Sequence, residues 1–115
     1  MEKSMKMKAF RVRLDGTLQA LKPLNKRQFT REEIIEIVGP KPIFLGTRNK
    51  MSMVLDETPY LEEREEVAYN KVASKMIIPF KREDAVIDFV LGEPLVCEPR
   101  MLKKLEQYAE EENNG

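Results

Sequence analysis

From Phe10 the chain alternates, with Phe10, Val12 and Leu14 on one side and Arg11 and Arg13 on the other. That period of two is the signature of a half-buried strand. Asp15-Gly16 follows, a pair that tolerates positive φ and suits a two-residue hairpin turn. Residues 17–21 are then expected to return antiparallel, with Leu21 opposite Phe10. The pattern changes to a helical period after Phe29. Thr30 can cap the free N–H groups of a first turn, and Glu33 stands where it can reach back to the cap. Phe29 and Ile34 are spaced for a hydrophobic staple. Ile34, Ile35 and Val38 make the expected buried stripe, and Gly39-Pro40 ends the helix through a left-handed cap.

Ile43-Phe44-Leu45 is a brief apolar run, and Met51, Met53 and Leu55 alternate after a polar loop, which predicts two strands joined by a short connection. Thr58-Pro59 reads as an N-cap followed by proline at the first helical position. Leu61, Ala68, Val72 and Met76 share one helical stripe, interrupted by Arg64 and Glu65. The segment is either one helix to about Lys75, the reading preferred here, or a mobile acidic stretch followed by a shorter helix. Ala85, Val86, Phe89 and Val90 form a small apolar cluster, and residues 94–97 are a candidate buried strand. Pro99 opens a last helix with the stripe Met101, Leu102, Leu105, Tyr108 and Ala109. The fold class that follows is α+β: a small, mostly antiparallel sheet with about three helices, at least two of them packed on one face. Residues 1–8 are expected to be a flexible lead-in, 9–109 a single domain, and 110–115 a disordered acidic tail. Such a half-covered sheet leaves an exposed face or a free edge strand.

Length and composition narrow the function classes. A chain of 115 residues fits one domain, and 42% hydrophobic residues suffice for one core. Twenty basic and twenty acidic groups cancel, whereas a protein that lives on nucleic acid is usually basic. The charge is unevenly placed: residues 1–31 carry +7 and the rest −7. The basic groups Arg11, Arg13, Lys22, Lys26, Arg27 and Arg31 form a candidate basic face that could follow a phosphate backbone. The chain lacks tryptophan, and Phe10 and Phe29 are committed to the interior, so base stacking is not supported. Glu62, Glu63, Glu65 and Glu66 form a candidate acidic interaction face.

There is no histidine and one cysteine, Cys97. Together these exclude an internal disulfide, a four-thiolate zinc site, and nucleophile pairs that depend on imidazole. Cys97 lies between apolar neighbours and reads as an inert core thiol. Ser4, Ser52 and Ser74 have no histidine to serve as base, and the glycines do not form a phosphate loop. Asp84 and Asp88 would share a face if helical, yet nothing adds the further oxygens a calcium loop needs. The expectation is therefore no enzyme, no catalytic residues, no cofactor and no metal. With no export signal and no apolar run of spanning length, the expected location is the cytoplasm, without membrane association.

Several short motifs carry a resemblance. Met53-Val54-Leu55-Asp56-Glu57 is a strand ending in an acidic pair, and Tyr69-Asn70-Lys71-Val72-Ala73-Ser74 holds Asn and Ala at a spacing of three. Asp84, Ile87 and Gly92 then precede the strand Pro94-Leu95-Val96-Cys97, and the first helix ends at Gly39. Together these resemble a family of small proteins of phages and bacterial conjugative elements, over residues 10–98. The chain departs from the family pattern in having Asp56 where Asn is usual, an acidic insert over 58–66, and a longer stretch over 84–92. The resemblance implies a setting and no particular activity. Asp56, Glu57, Asn70 and Asp84 form the candidate polar motif, and such groups also fix turns by bonding the backbone. The function expected is a non-enzymatic accessory or interaction protein, binding a protein partner or itself through a sheet edge or the acidic helix. The alternative is a nucleic-acid-backbone binder using the basic strand face.

Overall fold

The computed structural model describes residues 8–62, 68–82 and 85–102. Strand β1 (Ala9–Val12) pairs with β2 (Leu18–Ala20), and helix α1 (Arg31–Val38) leads to the hairpin of β3 (Pro42–Gly46) and β4 (Ser52–Asp56). Helices α2 (Thr58–Glu62) and α3 (Lys71–Met76) follow. The small hairpin of β5 (Phe80–Arg82) and β6 (Ala85–Ile87) precedes β7 (Leu95–Cys97) and a 3₁₀ turn over Pro99–Leu102. The main sheet has five strands in the order β2-β1-β7-β4-β3, and every neighbouring pair is antiparallel. This is an α+β fold.

Register explains the core. Alternate residues of a strand face opposite sides. Phe10, Val12, Met53, Leu55 and Val96 therefore join Ile43 and Leu45 on one face, under Ala73, Ile77, Ile87 and Val90. Ala9, Val54, Leu95 and Cys97 face the other way, against Phe29, Ile34, Met101 and Leu102. Helices α2 and α3 share the first face through Tyr60, Ala73 and Met76. Helix α1 covers the second through Ile34, Ile37 and Val38. The sheet is thus covered on both faces, which corrects the half-covered picture. Its two central strands, β7 and β4, are buried on both sides.

Helix α1 is built as its sequence predicts at the start. Thr30 Oγ1 accepts from Glu33 N (3.2 Å), and Glu33 Oε1 accepts from Thr30 N (2.8 Å). Of the expected stripe Ile34 is buried, and Ile37 and Val38, rather than Ile35, pack beside it against the second core. The cap at Gly39 is not left-handed: φ 137° and ψ 179° place it in a region open to glycine alone.

Four further expectations are corrected. The first hairpin closes with Arg13 N bonded to Thr17 O, so its loop holds three residues, not two. Gly16 takes the left-handed position (φ 88°), and Asp15 Oδ1 accepts from Thr17 N (2.9 Å) and Thr17 Oγ1 (2.6 Å). Phe10 therefore opposes Ala20, and Leu14 sits exposed in the turn. The continuous helix through 58–75 is replaced by α2 and α3, because Asn70 must cap α3 while its own N–H bonds Val90 O (2.7 Å). Residues 85–87 are a strand, so Asp88 lies past its end and not on a helix face. The last helix is a 3₁₀ turn as far as Leu102. The lead-in, Glu63, Glu65, Glu66, Asp84, the stripe residues Leu105, Tyr108 and Ala109, and the acidic tail lie outside the described residues, apart from Lys8 of the lead-in.

Candidate functional site

The polar motif divides into two separate junctions. Asn70 is completely buried where α3, β1 and the 90–92 loop meet. Its Oδ1 accepts from Ala73 N (3.0 Å), and its Nδ2 donates to Val12 O (3.0 Å) and Gly92 O (2.9 Å). Ser74 Oγ donates to Asn70 O (2.6 Å) and accepts from Val90 N (2.7 Å). These bonds serve the backbone, which is what a buried amide must do to offset its desolvation.

Asp56 forms the second junction, at the end of β4. Its Oδ1 accepts from Lys41 N (3.2 Å), Thr58 N (3.1 Å) and Thr58 Oγ1 (2.8 Å). The carboxylate thereby receives the first donors of α2, a role the sequence assigns to Thr58. Gly39 lies against it: a Cβ there would stand 2.7 Å from Asp56 Cγ. Glycine at the end of α1 is thus required both by φ and by the closeness of Asp56. Beside it, Glu57 N donates to Lys41 O (2.8 Å). A cleft of roughly 200 Å³ opens next to this junction, lined by Val38, Leu55, Asp56, Pro59, Leu91, Gly92, Glu93 and Pro94. It is smaller than the usual small-molecule site, and Glu93 Oε2 within it already accepts from Leu14 N (3.0 Å). Among the described residues no group of three potential metal ligands comes together.

The six groups of the basic face are not brought together. Arg11 points to the α1 side, where its Nη2 donates to Ile37 O (2.9 Å). It supplies the cation that the last turn of α1 lacks. Its Nε is buried without a hydrogen-bond partner. Arg13 stands 3.9 Å from Glu93. Lys22, Lys26, Arg27 and Arg31 are exposed in and after the loop that leads to α1. Of the acidic face, Glu62 ends α2 and the other three glutamates lie outside the described residues.

Tyr60 ties α2 to the loop before β7. Its hydroxyl donates to Phe89 O (2.9 Å) and accepts from Leu91 N (2.9 Å), and its ring lies 5.5 Å from that of Phe89. Burial pushes its phenol up to about 12, although the bond from Leu91 acts in the opposite direction. Periodicity gives no sign of this pairing, because the partners are 29 and 31 residues away.

The two edges of the sheet differ. β3 is guarded: it begins with Pro42, and Ile78 N donates to Gly46 O (3.0 Å), so chain 76–78 covers its far end. β2 is open. All three of its residues are exposed, Leu18 at 44%, and 17–21 carry no charge and no proline. Hydrogen bonds Leu21 N to Ala9 O and Arg13 N to Thr17 O assign residues 17, 19 and 21 to the β1 side. By the alternation of an antiparallel ladder, the N–H and C=O of Leu18 and Ala20 point away from the sheet. The uncharged run is visible in the sequence, but its place at the edge is set by strand order. No family model, no curated protein and no solved structure matches this chain. Among the described residues, no helix is long and apolar enough to cross a membrane.

Proposed function

We propose that the chain is a non-enzymatic accessory or interaction protein that receives a protein partner, or a second copy of itself, along the outer edge of β2. The observation that carries this reading is the contrast between the guarded β3 edge and the exposed, uncharged β2 edge. Strand addition draws affinity from main-chain bonds, and exposed side chains such as Leu18 supply selectivity. The reading of the chain as non-enzymatic is supported by the use of Asp56, Asn70 and Glu93 as backbone acceptors and donors. A phage or mobile-element setting rests on the motif resemblance, and a cytoplasmic one on a sequence that holds a single cysteine. The acidic glutamates after α2 remain a proposed second contact for a basic partner.

The nucleic-acid alternative is supported by the exposed Lys22, Lys26 and Arg27. It is weakened by Arg11, whose guanidinium is bonded to Ile37 O within the fold. Capture of tagged protein from host lysate, with and without nuclease, separates the two. The proposal expects a nuclease-resistant partner that Ala20→Pro loses, because proline removes an outward N–H. Retention of that partner by Ala20→Pro argues against the edge. Loss of all partners on nuclease treatment, with binding that falls steeply with salt, favours the backbone-binding reading.

A further inference from the structure

We propose that two copies of this chain join edge to edge through β2, antiparallel about a twofold axis at Gln19, to make one continuous ten-stranded sheet. The inference rests on the reading of β2 as the docking edge and names its occupant. The outward groups of the strand are self-complementary in this register. Leu18 of one copy faces Ala20 of the other, so each outward N–H meets an outward C=O and four main-chain bonds form. Gln19 meets Gln19 across the axis, where two side-chain amides can bond each other. On the other face Leu18 comes to lie over Ala20 of the second copy, which removes part of its exposed surface from water.

Charge selects the same arrangement. The edge is bounded by Asp15 at one end and Lys22 at the other, with neutral residues between. The Asp15 carboxyl is held below its ordinary value chiefly by the hydrogen bonds from Thr17, so it is ionised at neutral pH. In this register each Asp15 falls opposite Pro23 of the other copy, one place from that copy's Lys22, twice by symmetry. A parallel pairing would set like charges side by side. The net charge of zero adds no long-range repulsion between copies. A three-residue strand buries less than a permanent interface needs, so the dimer forms at high concentration and dissociates on dilution.

Sedimentation velocity of the purified protein from about 10 μM to about 1 mM tests this. The expected result is a mass rising from 13.4 kDa toward twice that value. Ala20→Pro and Leu18→Lys should each weaken the dimer at least tenfold. Both leave the β1–β2 ladder intact, since the N–H that proline removes points outward and the Leu18 side chain is exposed. Hydrogen exchange supplies a second readout: amides of Leu18 and Ala20 gain protection with concentration, while that of Gln19 is protected throughout. A monomer at every concentration overturns the proposal, as does a dimer unaffected by both variants. A monomer whose heterologous partner is nevertheless lost in Ala20→Pro overturns self-pairing alone and leaves the edge-docking reading standing.

Discussion

At the scale of single residues, two polar side chains, the buried Asn70 and the half-buried Tyr60, hold together segments far apart in the chain. Asn70 caps α3 and donates to Val12 O and Gly92 O, so one amide joins three pieces of backbone. Asn70→Ala would leave two buried carbonyls and one amide without partners. At about 1–3 kcal/mol per unsatisfied group, we expect a loss of about 3 kcal/mol or more in urea unfolding. Asn70→Asp should be worse, since a carboxylate would face the two carbonyls and cannot donate to them when ionised. Tyr60 is the second such residue. Its folded phenol titrates near 12 against 10.0 for a free tyrosine. Because the folded value is raised, the stability it represents is complete below about pH 10 and is lost as pH rises through 12. A titration followed by phenolate absorbance should show one of the three tyrosines ionising late, and Tyr60→Phe should remove that late step. The same variant leaves Leu91 N without its acceptor, at a cost of about 1–3 kcal/mol.

At the scale of elements, local chemistry decides where helices and turns begin and end. Burial raises the Glu33 carboxyl, but bonds from Thr30 N, Leu24 N and the Thr30 hydroxyl outweigh it, and the net shift is below 4.5. A lowered folded value contributes stability above the unfolded value, and that contribution is lost as pH falls through the folded one. Glu33→Gln should therefore be less stable than the parent at neutral pH, with the gap closing below about pH 4.5 when unfolding is measured across pH. The two hairpins of the main sheet share one loop design. In each, three residues connect the strands and the third has positive φ: Gly16 at 88° and Lys50 at 65°. Thr47 N bonds Met51 O (3.1 Å) and Lys50 N bonds Thr47 O (3.2 Å), matching the arrangement around Arg13, Gly16 and Thr17. Left-handed backbone costs a lysine about 1–2 kcal/mol that glycine does not incur. Lys50→Gly should accordingly raise the midpoint of thermal unfolding, with a gain of about 0.5–1 kcal/mol after the added freedom of the unfolded chain is counted.

For the whole molecule, β7 and β4 are shared by both cores. Met53 and Val96 face α2 and α3, while Val54, Leu95 and Cys97 face α1 and the 3₁₀ turn. A sheet whose centre belongs to two cores should unfold in one step. Met53→Ala and Leu95→Ala remove fully buried side chains from opposite faces, each at a cost of about 2–5 kcal/mol. Circular dichroism and tyrosine fluorescence should give coincident transitions in both variants. Separate transitions after Leu95→Ala would show that the two faces fold independently.

Local instructions were readable from the chain alone because they act over three or four residues. Thr30 with Glu33 specified the start of α1, and the alternation of Met51, Met53 and Leu55 specified β4 and its inward face. Asp15-Gly16 announced a turn, though not its length: two- and three-residue loops use the same pair, and the choice fell to the register that puts Phe10 and Val12 on the core. Asp56 and Asn70 could be singled out, but not the carbonyls and amides they serve, which come from positions as much as 58 residues away. The stretch from 58 to 75 has helical composition, and what broke it was the need for Tyr69 and Asn70 to meet Leu91 and Val90. Taken alone, the first strand presents Arg11 and Arg13 on one face. Tertiary structure turned Arg11 onto the carbonyl end of α1 instead, because burying a guanidinium requires a partner. Strand order, and with it the place of β2 at the edge, was decided by tertiary structure alone: it depends on β7, which is separated from β2 by the 74 residues 21–94, arriving between β1 and β4.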